Sequence, residues 1–279
     1  MKIVSLVCVA VMSVAVMCSP VLESQAPALK PADVQKDIKI ETQNPIHVEA
    51  AVPLRNEPHH ALVLQNDYVH VFNVTVPPLD ATLLHQHDLP YLYLMLGRSD
   101  VINAVQGKPE AHLLFEDGET RYSPGGFAHI VRTDAGTLFH NITIELERPQ
   151  GSPRNVPGKP EDRPLGACPE ASGEPKQNDQ IPFEQMTGCF ETDEVLLDVV
   201  HVEGGKDYVD SSPRTAALLV TMSDANLDVS LGGEHTAFLH TGEVLWLPPT
   251  VSRKIGDFLG IKSKFLLLSF KDSAITTPK

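Results

Sequence analysis

His85-Gln86-His87 sets two imidazoles two residues apart. On an extended chain, residues i and i+2 share a face, with Cα atoms ~6.5–7 Å apart. Two rings so placed converge on one ion, at ~2.0–2.1 Å each, if the strand curves. An H-x-H pair by itself is equally at home on a solvated face. Glu57-Pro58-His59-His60 is a second histidine tract. It could be a second metal tract, but adjacent side chains on a strand point opposite ways, which favours a surface role. Asn73-Val74-Thr75 and Asn141-Ile142-Thr143 fit the N-glycosylation pattern but fall within strand-like runs. The chain has no phosphate-cradling glycine loop, no G-x-S-x-G elbow and no dinucleotide fingerprint.

The segments around these histidines read as strands. Residues 69–76, 91–96, 138–146, 195–202, 216–222 and 264–270 are short runs rich in Val, Leu, Ile, Phe and Tyr, set apart by Pro, Gly, Asp and Asn. Such spacing predicts an antiparallel sandwich or barrel, and no long 3.6-residue apolar period competes with it. The stretch 149–182 holds 8 of the 23 prolines and few large apolar residues, and reads as a linker. The halves on either side resemble each other. Ser99-Asp100 recurs as Ser223-Asp224, Gly118 as Gly242 and Pro124 as Pro248, at one offset of 124, which points to duplication.

Gly118, five residues, Pro124-Gly125-Gly126, two residues and His129 spell G-x5-P-x-G-x2-H. Here the chain resembles the cupins, whose motifs are G-x5-H-x-H-x(3–4)-E-x6-G and G-x5-P-x-G-x2-H-x3-N. His85 and His87 match the first motif; Gly118, Pro124, Gly126 and His129 match the second. Thr133 stands where the second motif has Asn, Asp80 replaces the opening glycine of the first, and Gly97 falls one place short of its last. The resemblance implies an all-β bicupin: two double-stranded β-helix (jelly-roll) barrels joined by the Pro-rich linker. It also implies a divalent metal held by His85, His87 and His129.

The first motif's glutamate is missing; Tyr91 or Leu92 stands there. This narrows the resemblance to three-histidine cupins that hold Fe(II) and use dioxygen, such as the thiol dioxygenases. Fe(II) is slightly favoured, while imidazole donors leave Mn, Zn, Cu and Ni undistinguished. A neutral three-histidine face leaves the ion's charge uncompensated. Tyr91 either approaches the ion or its ligand, or is a wall residue, and Tyr93 and Met95 share its inward face. Asp88 points outward by alternation, with the alternative of partnering a ligating histidine. At the offset of 124, His85, His87 and His129 become Val209, Ser211 and Arg253, so the second barrel carries no metal ligands. It is expected to be structural, to support its partner or a homo-oligomer interface, with Arg253 a candidate for an anion. His235 and His240 precede Gly242, where the motif has no ligand.

The domain reading is 1–26 a signal peptide, 27–58 an N-terminal arm, 59–148 the metal barrel, 149–190 the linker, 191–272 the degenerate barrel and 273–279 a tail. Lys2, the apolar run 3–17 and the polar, small residues after it have the anatomy of an export signal. The run is shorter than the ~20 residues of a membrane span. The expected location is therefore secreted or periplasmic, with a lipid anchor at Cys18 a minor alternative. In an oxidising compartment Cys168 and Cys189 are expected to form a disulfide, worth about 3 kcal/mol, with two free thiols as the alternative. With 22 Lys and Arg against 36 Asp and Glu, the net charge of −14 argues against nucleic acid or an anionic membrane as partner. A small molecule remains, either as the substrate of a metal-dependent, dioxygenase-like enzyme or as the ligand of an exported binding protein.

Overall fold

The computed structural model describes residues 50–133, 136–151, 183–202, 204–211, 213–222, 225–260 and 263–271. The expected export segment lies outside what it describes, as does Cys168, so the expected Cys168–Cys189 disulfide does too. The first half contributes β1 (Val52–Pro53), β2 (His60–Gln65), β3 (Val69–Val76), β4 (His85–His87), β5 (Tyr91–Met95), β6 (Ser99–Val105), β7 (Ala111–Phe115), β8 (Thr120–Ser123), β9 (Phe127–Arg132) and β10 (Phe139–Leu146). They form two five-stranded sheets, ordered β1-β4-β9-β6-β7 and β2-β3-β10-β5-β8. The second half contributes β11 (Phe183–Glu191), β12 (Val195–Val202), β13 (Asp207–Asp210), β14 (Ala217–Thr221), β15 (Leu227–Leu231), β16 (Glu234–Leu239), β17 (Val244–Leu247), β18 (Arg253–Asp257) and β19 (Ser263–Phe270). Its sheets run β11-β12-β19-β14-β17 and β13-β18-β15-β16.

Strand alternation explains why both faces of the first barrel's β2–β8 sheet are buried. On β10, Phe139, Asn141, Thr143 and Glu145 point into the barrel, while Ile142, Ile144 and Leu146 point out of it. On β5, Leu92 and Leu94 share that outer face. They meet the outer face of the β11–β17 sheet, with Leu197, Leu218, Val220, Leu266 and Leu268, in one apolar cluster that joins the barrels. The duplicated glycines serve this junction. Gly118 (φ +76) and Gly242 (φ +78) each turn a chain against the other barrel: a Cβ on the first would lie 3.1 Å from Met222 Cε, and on the second 2.8 Å from Leu96 Cδ1.

Two boundaries shift. The strands of the first barrel begin at Val52, within the stretch read as an arm, because Val52 pairs in parallel with His85. Likewise β11 lies at the end of the linker and pairs antiparallel with β12. The single offset also breaks. Gly118 N–H donates to Met95 O and Gly242 N–H to Thr221 O, and that second pair of acceptors is 126 apart.

Candidate metal centre

The three histidines of the two motifs sit on one sheet. β4 and β9 pair antiparallel, with His85 opposite His129 and His87 opposite Phe127. Two glycines hold this register. Gly126 N–H donates to His87 O at 2.7 Å. Gly125, at φ +70, passes so near β4 that a Cβ would stand 2.1 Å from Leu89 O. Only a residue without a side chain fits there. The P-x-G-x2-H spacing thus delivers His129 beside His85.

A fourth ring enters from the opposite sheet. His60, first residue of β2, is buried and reaches across the barrel. Ring centroids are 4.7 Å apart for His60 and His85, 4.5 Å for His85 and His129, and 5.1 Å for His87 with either His85 or His129. One nitrogen from each of His60, His85 and His87 falls within 4.8 Å of the other two, as a shared ion requires.

The hydrogen bonds show which nitrogens are left for an ion. His85 Nδ1 is 2.9 Å from Leu83 O and His129 Nδ1 is 2.8 Å from Asn103 Oδ1. Both oxygens accept, so each Nδ1 carries the proton and each Nε2 keeps its lone pair. Both Nε2 atoms are buried without a partner. His60 Nδ1 donates to Glu57 Oε2 at 2.5 Å. His87 Nδ1 is 3.7 Å from Glu145 Oε1 and has no hydrogen bond. A carbonyl, carboxylate or amide oxygen behind the ring is the usual support of a metal-bound histidine.

The electrostatics agree. Burial, joined by the neighbouring His60 ring, pushes the conjugate acids of His85 and His87 down to about 3. Burial takes His129 well below its ordinary value too. All three are neutral donors near pH 7, the form a metal needs. Burial alone would raise the Glu57 carboxyl. The bonds it accepts from His60 and from the N–H groups of Leu83 and His59 prevail and hold it below the ordinary range. Burial raises Glu145 to about 6.

No family model and no curated protein matches the sequence. Solved structures do match the fold. Salicylate 1,2-dioxygenase from Pseudaminobacter salicylatoxidans aligns over 77% of this chain and 76% of its own, with 12% identity and a TM-score of 0.53. Its adduct with gentisate aligns over 75% and 69%, with 13% identity and a TM-score of 0.50. AerE from Microcystis aeruginosa aligns over 77% and 99%, with 10% identity and a TM-score of 0.51. The chain has the bicupin fold.

The structure corrects several expectations about the bicupin's site. His60 is no surface residue: the alternation argument holds, but it turns His59 outward and His60 into the barrel. The ion's charge would not stand uncompensated, because Glu57 and Glu145 back two of the rings. Neither carboxylate belongs to a cupin motif. Glu57 stands 28 residues before His85, and Glu145 lies on the last strand of the barrel.

The pocket residues also divide. Tyr91 lines the cavity: it stacks on His87 at 4.3 Å, its hydroxyl bonds toward Ser123, and burial raises its pKa. Tyr93 lines the same cavity, and burial pushes its hydroxyl up to about 12. Met95 shares their face but lies deeper, packed with Phe72, Val101 and Phe115. Asp88 is exposed, and the carboxylate nearest His87 is Glu145 instead. Thr133 is buried and donates to Pro77 O. In the second barrel Arg253 pairs with Asp210, as His129 pairs with His85, so Asp210 rather than Val209 is the counterpart of His85. Val209 is exposed. Arg253 is buried and donates to the carbonyls of Thr215 and Pro248, while Leu219, Val229, Ile255, Phe265 and Leu267 fill the interior. His235 is exposed beside Asp228, and His240 is exposed beside Asn226.

Proposed function

We propose that this chain is an exported, metal-dependent bicupin that acts on a small organic molecule in the manner of an oxygenase. One observation carries the reading: the Nε2 atoms of His85 and His129 are buried without partners, beside the rings of His60 and His87 and a cavity. Burying an acceptor without a partner costs about 1–3 kcal/mol, and a divalent cation among the rings removes that cost. His85, His87 and His129 would hold it, with His60 in the place of the missing glutamate. Iron(II) is the favoured ion; it would supply Lewis-acid polarisation and one-electron chemistry with dioxygen.

The chain's own groups do the rest. Leu83 O, Asn103 and Glu57 fix three ring orientations, and Phe115, Phe139, Val101 and Val131 keep bulk water from the cavity. The similarity in fold to salicylate 1,2-dioxygenase supports the oxygenase reading, and the apolar run after Lys2 supports export. A binding protein without turnover is the second reading, favoured by a cavity wall with no carboxylate among the described residues to serve as base.

Metal analysis tests the first step. After reconstitution with Fe, Mn, Zn, Cu or Ni, the wild type should hold about one ion per chain, and His87→Ala none. Arg253→Ala should bind as the wild type does. A wild type devoid of metal after every reconstitution refutes the proposal. Oxygen uptake by the iron form against a panel of thiols, diketones and phenols then separates enzyme from binder.

A further inference from the structure

The cavity beside the four rings is small and carries no charged wall. Its volume is about 60 Å³, and among the described residues no lysine, arginine, aspartate or glutamate lines it. One arginine stands behind the wall and is already paired. Arg121 donates to buried Glu119 at 2.5 Å, lies over the Phe115 ring at 4.4 Å and hydrogen-bonds the Tyr93 hydroxyl.

The balance of charge points the same way. Glu57 and Glu145 are both buried and back His60 and His87. Two carboxylates offset a divalent ion held by neutral imidazoles. A further anion would therefore enter an apolar cavity without a countercharge, which is costly. The polar groups that remain are donors. Asn103 Oδ1 accepts from His129, and Asn141 Oδ1 accepts from the Thr143 hydroxyl at 2.8 Å, which leaves the two amide NH₂ groups on the wall.

We infer that the site takes a small uncharged molecule bearing a carbonyl or hydroxyl oxygen and rejects carboxylates of the same size. This rests on the metal-site reading above for its charge balance. The test uses an isosteric pair, 2-butanone and propionate, with ligand-observed NMR at pH 7 on the zinc-loaded and metal-free full chain, zinc content being measured on the same samples. Butanone should bind at least 10-fold more tightly than propionate to the zinc-loaded protein. Equal or tighter propionate binding, or no butanone binding up to 100 mM, overturns the inference. A chain that takes up no zinc yet prefers butanone leaves the uncharged cavity standing and removes the metal reading instead.

Discussion

Glu57→Gln tests the support behind His60 with little change of shape. Glu57 Oε2 accepts from His60 Nδ1 at 2.5 Å and from His59 N–H at 2.8 Å, while Oε1 accepts from Leu83 N–H at 3.1 Å. An amide keeps one acceptor oxygen and turns an NH₂ toward either Leu83 N–H or the His60 side, donor against donor. At least one of the three bonds is lost, and a buried donor without a partner costs about 1–3 kcal/mol. The negative charge behind the ring goes as well. Losing such a partner ordinarily weakens metal binding ~10–100-fold, equal to about 1.4–2.7 kcal/mol. A zinc titration against a chromophoric chelator at pH 7 reads the affinity, and urea unfolding reads stability. Glu110→Gln, at the exposed pair with Arg132, serves as the control. Zinc affinity within twofold of wild type in Glu57→Gln, in a folded protein, refutes the reasoning.

Three further outcomes are expected. Gly125→Ala places a Cβ 2.1 Å from Leu89 O at φ +70, and should cost about 2–4 kcal/mol in urea unfolding; a cost below about 1 kcal/mol would show that the turn relaxes freely. In EDTA-treated protein, His85 and His87 take protons near pH 6.5 when unfolded but only near 3 when folded, so the unfolded state binds more protons and stability falls as pH drops below 6.5. Each contributes about 1.4 kcal/mol per pH unit, and Glu145, raised to about 6, works in the opposite sense between pH 6 and 4.5; urea unfolding at pH 7, 6 and 5 that shows no net loss would contradict this. Expressed without the second half, residues 50–151 would expose Val71, Leu92, Leu94, Ile142, Ile144 and Leu146, each worth about 1.5–3 kcal/mol when buried, and should aggregate in size-exclusion chromatography rather than elute as a stable monomer.

The sequence by itself determined the strands and the three histidines of one sheet. Alternation with period two assigns faces along a strand, and the H-x-H and G-x5-P-x-G-x2-H spacings are local. Tertiary structure alone decided which distant strands share the barrel interior. His60 reaches His85 across the two sheets, and Glu145 stands behind His87 from β10; strand pairing over 25 to 58 residues brings them there, and no short-range pattern encodes it. The same closure put Met95 beneath the cavity rather than in its wall, and set Asp210 rather than Val209 opposite Arg253. Faces are a property of the chain's local geometry, whereas neighbours across a closed barrel are fixed only when every strand has found its partner.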